Sequence, residues 1–390
     1  MDRPETTRAF DGLRCTDCGS RHDATTTHRC PACDGHLDAV YDHDEPPVLA
    51  GYGLDRYAPL LPFPAEALPD LGAGGTPVID CPALAADLGV GALAVKDEGH
   101  SSTGSVADRG MAVAVAAAGG HGATDVALPT TGNAGQAAAA YAARAGLDAH
   151  AFVPSRATFA TKAMINVHGG DMSVVGGRYP DAVGAFEAAV ADAGWYSLAP
   201  FETPYRHEGA KTLAYELAEG RDWGTPDAVV LPVAHGTVLV GLHEGFVELQ
   251  ELGLTDRLPR LCGVQAAGCA PVVEAVEAGA DTITPCETPD TICGDLEVPT
   301  PAGGDRILAG VDATGGTGVA VDDDALLDGA TELAAAGLTA SAAGGATLAG
   351  ARELADRGTL DRDDDVVLVD TATANRDADV LRSHLMKQGI

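Results

Sequence analysis

Lysine is almost missing from this chain. Of 390 residues only four, Lys96, Lys162, Lys211 and Lys387, carry an ammonium group, against 57 Asp and Glu. The formal net charge is −33 and the isoelectric point lies near 4.4. A surface this negative repels phosphate backbones and anionic headgroups, which argues against DNA, RNA and acidic membranes as partners. The acids are spread along the whole chain, so the imbalance is not an acidic tail. Long apolar runs are also absent, since none approaches the roughly 20 residues of a membrane span. The start, Met1-Asp2-Arg3-Pro4, lacks the apolar stretch of a secretory leader, so a cytoplasmic protein is expected. In a reducing compartment, five of the nine cysteines, Cys81, Cys262, Cys269, Cys286 and Cys293, read as small buried hydrophobes.

The other four cysteines are ordered differently. Cys15-x2-Cys18 and Cys30-x2-Cys33 form two knuckles 11 residues apart. Four thiolates so spaced close a tetrahedral shell on one Zn²⁺, and a segment this short has little else to hold it folded. The expectation for 1–45 is a structural zinc ribbon, with a metal-free remnant as the alternative. His22, His28 and His36 are not needed as ligands and are expected in solvent. In composition the chain resembles proteins of salt-accumulating archaea, in which acidic side chains retain water and lysine is rare.

Beyond the ribbon, prolines at 46, 47 and 59–69 keep the chain irregular. After that, short apolar strands alternate with helical stretches of 10 to 15 residues. Strands are expected at 92–95, 124–128, 149–153, 171–175, 227–231, 261–265 and 366–369. Helices are expected at 83–88, 107–118, 157–168, 180–193 and 271–279, and in the Ala-rich stretch that ends at Arg144. This alternation predicts parallel βαβ units, an α/β fold. The stretch 282–300 reads as loop, and 315–322 leads into a helix from 324. At Thr131-Gly132-Asn133 a turn opens a helix, where free N–H groups and the positive end of the helix dipole suit a carboxylate.

Several motifs resemble threonine synthases and related fold-type II pyridoxal-phosphate (PLP) enzymes. The first is V-K-D-E-G-H-S-S-T-G-S-V-A-D-R-G from Val95, which resembles a segment ending in F-K-x-R-G. The second is P-Y-R-H-E-G-A-K-T-L-A-Y-E from Pro204, preceded by G-W-Y-S-L-A-P-F. Others are G-x-L-x-x-x-Y-D from Gly35, L-G-A-G-G-T-P from Leu71, P-V-A-H-G-T from Pro232 and T-A-T-A-N-R-D from Thr371. The resemblance implies a two-lobed α/β body with open twisted sheets and PLP in the crevice between the lobes. The expected division is 95–195 for a smaller substrate lobe, and 46–94 with 196–390 for a larger cofactor lobe.

On the same resemblance, Ser105, Thr131, Gly132 and Asn133 bind substrate, and Asn133 also contacts PLP. Ala234, His235, Gly236 and Thr237 face its phosphate, and Thr371 its ring nitrogen. Two of the phosphate-loop glycines of the family are here Ala234 and His235. His235 either adds a donor to the phosphate or takes up its space. At Ala107 the family has the lysine that forms the Schiff base with PLP, and alanine performs none of its tasks.

Three readings follow. The first is a threonine synthase-like lyase, acting in relatives on O-phosphohomoserine, whose catalytic competence the sequence does not support. The second is a non-catalytic protein binding an amino acid, a phosphorylated amino acid or PLP, as a homodimer or as regulatory partner of an active paralogue. The third uses another lysine, Lys96 or Lys211, in place of the missing one.

Overall fold

The structure is a computed structural model that describes residues 5–25, 28–43 and 45–389. Met1–Pro4, with the leader argument made on them, and positions 26, 27, 44 and 390 lie outside the described residues.

Three sheets organise the chain. Strands β1 (Phe10–Cys15), β2 (Arg21–His22) and β3 (Leu37–Tyr41) form a small antiparallel sheet at the N-terminus, in the order β2-β1-β3. A six-stranded sheet contains β4 (Val78–Asp80), β5 (Ala92–Asp97), β10 (Ala228–Pro232), β11 (Arg260–Ala266), β12 (Thr317–Val321) and β13 (Asp365–Asp370). Its order is β12-β11-β10-β13-β5-β4, parallel except for β4. The third sheet is parallel throughout, in the order β8-β7-β6-β9. It joins β6 (Asp125–Pro129), β7 (Asp148–Pro154), β8 (Asp171–Val175) and β9 (Tyr196–Ser197).

The central strands are apolar on both faces because helices cover both sides. Ala228-Val-Val-Leu-Pro232 is buried at every position, as is Val366–Asp370. One apolar cluster, including Val230, Val264 and Leu368, lies on one face of the six-stranded sheet. Another, with Val229, Leu231 and Val367, lies on the other face. The smaller sheet packs Val126, Leu128 and Val153 against Met111 and the alanines of the helix Asn133–Ala145.

The expected strands and helices appear with ends shifted by no more than two residues. Thr317–Val321, given no element in the sequence, is a strand beside β11, because Val319 and Val321 find the β11 edge open and bury there. The helices Gly304–Ala313, Ala342–Asp356 and Ala378–Gln388 were not foreseen. Their glycine- and alanine-rich or charged stretches carry a weak apolar period.

Three helices pack closely enough to require glycine. A Cβ on Gly209, in the helix Tyr205–Glu219, would lie 2.1 Å from the Arg109 carbonyl oxygen in the helix Ala107–Gly120. On the other side, a Cβ on Gly245 in the helix Thr237–Glu251 would lie 2.7 Å from the Lys211 carbonyl oxygen. The helix Tyr205–Glu219 is therefore fixed between two neighbours.

The N-terminal sheet docks on that same helix. Tyr41 donates to Glu208, Lys211 lies over the Tyr41 ring at 4.3 Å, and Asp38 pairs at 2.5 Å with Arg306 of the neighbouring helix Gly304–Ala313. The three histidines expected in solvent are half-buried instead. His36 bonds the Phe201 carbonyl oxygen at 3.0 Å, His28 packs on Tyr196, and His22 lies 2.9 Å from Ser20 Oγ. His28 and His36 belong to the docking surface.

Candidate functional site

The carboxyl ends of β5, β10 and β13 face that of β6, and the turns leaving them enclose a cavity of about 160 Å³. Ligands of open α/β sheets bind in such a crevice. Its lining includes every site residue expected in the body except Gly132. Gly132 adopts φ 145° and donates its N–H to Thr130 Oγ1 at 3.0 Å, where a Cβ would meet Thr161 Oγ1 at 2.7 Å.

The turn after β5 is held from both ends. Thr103 donates its N–H (2.8 Å) and its hydroxyl to Asp108, Val106 N–H bonds Thr371 O at 2.9 Å, and Ser105 pairs with Ala372. Ala107 then opens its helix with its methyl at the cavity wall. Burial raises the Asp108 carboxyl to about 6.

None of the four lysines lines this cavity. Lys96 is buried and pairs with Glu216 and the Thr76 carbonyl oxygen (2.6 Å). Lys211 pairs with Glu208 and Glu248, each at 2.8 Å. Lys162 bonds the Ser155 carbonyl oxygen, and Lys387 pairs with Asp324. The third reading therefore loses both its candidates, because each ammonium is held away from the crevice by carboxylates.

Around Lys96 the pairing extends into a buried clamp. Arg109, fully buried, donates to Glu98 at 2.7 and 2.8 Å, to Glu216 at 2.7 and 2.8 Å and to Thr212 at 2.8 Å. Burial pushes the Glu216 carboxyl up, but Arg109 and Lys96 outweigh it and hold the group at about 2.

At one end of the cavity the chain leaves β10 through Ala234, His235 and Gly236 into the helix Thr237–Glu251. Gly236 has φ 85°, and a Cβ there would lie 2.3 Å from Ile307. The free N–H groups of this helix start make a ready anion site. Arg206 lies at the same cavity, bonds only the Leu198 carbonyl oxygen (3.1 Å), and has no ion-pair partner among the described residues. Burial lowers its pKa to about 10, so it stays charged at neutral pH. His235 is neutral, its pKa lowered to about 3 by burial and by Arg206. Its Nδ1 faces the Ala302 N–H at 3.4 Å, and its ring tilts against Tyr179.

At the other end stands a residue that sequence reasoning missed. Asp295 accepts from Thr131 Oγ1 at 3.1 Å and from Asn133 Nδ2 at 2.7 Å. Arg376 in turn donates to Asn133 Oδ1 and to the Thr103 carbonyl oxygen. Burial raises the Asp295 carboxyl against the pull of Arg376. Nothing in 282–300 marked this acid out. Arg206 had a visible signal, a cation inside the quoted P-Y-R string of a chain poor in cations.

A family profile described as pyridoxal-phosphate dependent enzyme matches residues 69–372. The chain belongs to that family. Within the PLP-dependent enzymes it is similar over nearly its whole length to threonine synthases. It is 34% identical over 374 residues to that of Methanosarcina acetivorans, covering 94% of this chain and 92% of the relative. It is 31% identical over 377 residues to that of Methanocaldococcus jannaschii, covering 94% and 93%. The chain is threonine synthase-like. Among solved structures, an L-serine ammonia-lyase from Rhizomucor miehei superposes with TM-score 0.70 at 22% identity, over 80% of this chain and 98% of the other. A lysine-to-alanine variant of O-ureido-L-serine synthase, bound to O-ureido-L-serine, superposes with TM-score 0.66 at 20% identity, over 79% and 91%. These two likenesses show the fold.

The PLP-binding fold meets a site that fits the cofactor at one end only. Arg206 and the helix start suit a phosphate. At Ala107 no amine is present to hold an aldehyde, and the Thr131 and Asn133 donors already engage Asp295. Near the N-terminus, the sulfur atoms of Cys15, Cys18, Cys30 and Cys33 all lie within 4.8 Å of one another, with Cys15–Cys33 at 3.5 Å and Cys18–Cys30 at 3.7 Å. Zn–S bonds of about 2.3 Å in a tetrahedron put sulfurs roughly 3.8 Å apart, so the cluster fits that ion.

Proposed function

We propose that this threonine synthase-like chain binds a phosphate ester, PLP or a phosphorylated amino-acid-like ligand, without holding a cofactor on lysine. The observation that carries this reading is the unpaired Arg206 at a cavity whose wall holds Ala107 where the family's lysine would stand. Arg206 and the N–H groups at the start of the helix Thr237–Glu251 anchor the phosphate, and neutral His235 presents no charge to it. Arg376 fixes the Asn133 amide, and Thr371 offers a hydroxyl toward the ring of a bound cofactor. When present, PLP supplies an electron-withdrawing ring and a reactive aldehyde.

The variant of O-ureido-L-serine synthase supports the reading, since that fold neighbour keeps an amino-acid ligand with alanine in place of a lysine. The division into lobes at 95–195, a structural Zn²⁺ on the four ribbon cysteines, salt-adapted solubility and a homodimeric or paralogue-bound state belong to the same proposal. The threonine synthase relatives favour a second reading, in which a lysine at 107 restores action on O-phosphohomoserine.

The test is calorimetry in molar salt with PLP and with inorganic phosphate, followed by borohydride reduction and peptide mass mapping. Binding that disappears in Arg206→Gln, with no pyridoxyl label on any lysine, is the expected result. No binding, or a labelled lysine, overturns the reading.

A further inference from the structure

The cavity is lined by a cation, Arg206, and an acid, Asp295, that are not paired with each other. Arg206 is a cation without a carboxylate, and Asp295 is a carboxylate without a salt-bridged cation among the described residues. Each Asp295 oxygen accepts one hydrogen bond, Oδ1 from Thr131 and Oδ2 from Asn133. A carboxylate offers about four acceptor positions, so acceptor capacity remains on both oxygens.

The Thr131 hydroxyl and one N–H of the Asn133 amide are already engaged by Asp295. Arg376 does not fill the gap, because its guanidinium bonds Asn133 Oδ1 and the Thr103 carbonyl oxygen. Arg376 lies in the field of three carboxylates, Asp295, Asp108 and Asp377, so this end is short of positive charge. A carboxylate or carbonyl oxygen brought against the Asp295 oxygens meets acceptor against acceptor. An ammonium group brings three donors and the missing charge.

We infer that the crevice selects a phosphate ester bearing a primary amine, with its phosphate on Arg206 and its ammonium on Asp295, over the same ester bearing an alcohol, aldehyde or carboxylate. This deepens the proposed function and rests on its phosphate site.

The test compares pyridoxamine 5'-phosphate with its alcohol counterpart pyridoxine 5'-phosphate, which differ only at the group in question, and with inorganic phosphate, by calorimetry in molar salt at neutral pH. A charge-assisted hydrogen bond predicts that the amine binds at least about tenfold more tightly than the alcohol. In Asp295→Asn the two bind within about twofold of each other, with inorganic phosphate unchanged. Equal binding of amine and alcohol to the unaltered protein, lost in Arg206→Gln, overturns the amine preference and leaves the phosphate site standing. Absence of binding by all three, inorganic phosphate included, overturns the proposed function and this inference with it.

Discussion

Replacing Glu216 by Gln removes one of two carboxylates from a buried group of four charges. The carboxylate accepts from two Arg109 nitrogens at 2.7 and 2.8 Å, from the Gly75 N–H at 2.7 Å and from Lys96. Arg109 is 0% and Lys96 1% exposed, so neither cation reaches water when its partner is lost. Breaking a buried pair from one side costs about 3–5 kcal/mol, against about 0–1 for a surface pair. Of the two cations only Lys96 can escape by losing its proton, and burial already holds its pKa below the usual value. Without Glu216 that pKa falls further. Between it and the unfolded value of about 10.4, the unfolded chain binds a proton that the folded variant does not. Stability of the variant therefore rises with pH over that window, and its deficit against the parent shrinks. Urea unfolding followed by tryptophan fluorescence at pH 7 and at about pH 9.5, at constant salt, measures both effects. A loss under about 1 kcal/mol at pH 7, or a deficit that widens with pH, refutes the reasoning.

The same clamp shapes the acid limb. Glu216 titrates near 2 when folded and about 4.3 when unfolded, so its stabilisation is full above about pH 4.3 and disappears as pH falls through 2. A titration of the urea midpoint from pH 6 downward should show this loss in the parent and not in Glu216→Gln. Ala107→Lys places the only lysine on the cavity wall, and borohydride reduction with PLP should then label position 107 alone. A label elsewhere would show that the cavity is not where PLP enters. Gly236→Ala forces a side chain to φ 85° with its Cβ 2.3 Å from Ile307. It should cost about 1–3 kcal/mol and weaken inorganic phosphate binding, and unchanged binding would remove the helix start from the site. Elemental analysis should find one zinc per chain, and chelation should expose 5–43 to limited proteolysis. A metal-free protein with a resistant N-terminus would contradict the ribbon proposal.

Much of the body was legible because parallel strands buried on both faces are written as short apolar runs, as at Ala228–Pro232 and Asp365–Asp370. The edge strand Thr317–Val321 was not, since its glycine-rich start carries no strand signal until β11 provides a partner. At the site, Ala107 could be placed from its neighbours in sequence, and the structure puts it on the cavity wall. Asp295 could not, because its bonds to Thr131 and Asn133 join residues more than 160 positions apart. Nor does spacing reveal that Lys96 is enclosed by Glu216 from a distant helix. An ion pair across such a separation leaves no local periodicity to read.

The helix Tyr205–Glu219 has almost no interchangeable positions along its first three turns. Arg206 looks into the cavity, His207 and Glu208 meet the N-terminal sheet, Gly209 lies against Arg109, and Lys211 and Glu216 belong to two separate charge groups. One added or deleted residue turns everything beyond it by about 100°. Such a change within 206–216 would carry Glu216 out of the buried clamp while Arg206 stays at the cavity. This part of the chain is therefore constrained in length as well as in residue type, because the cavity, the N-terminal sheet and the clamp share one helical phase.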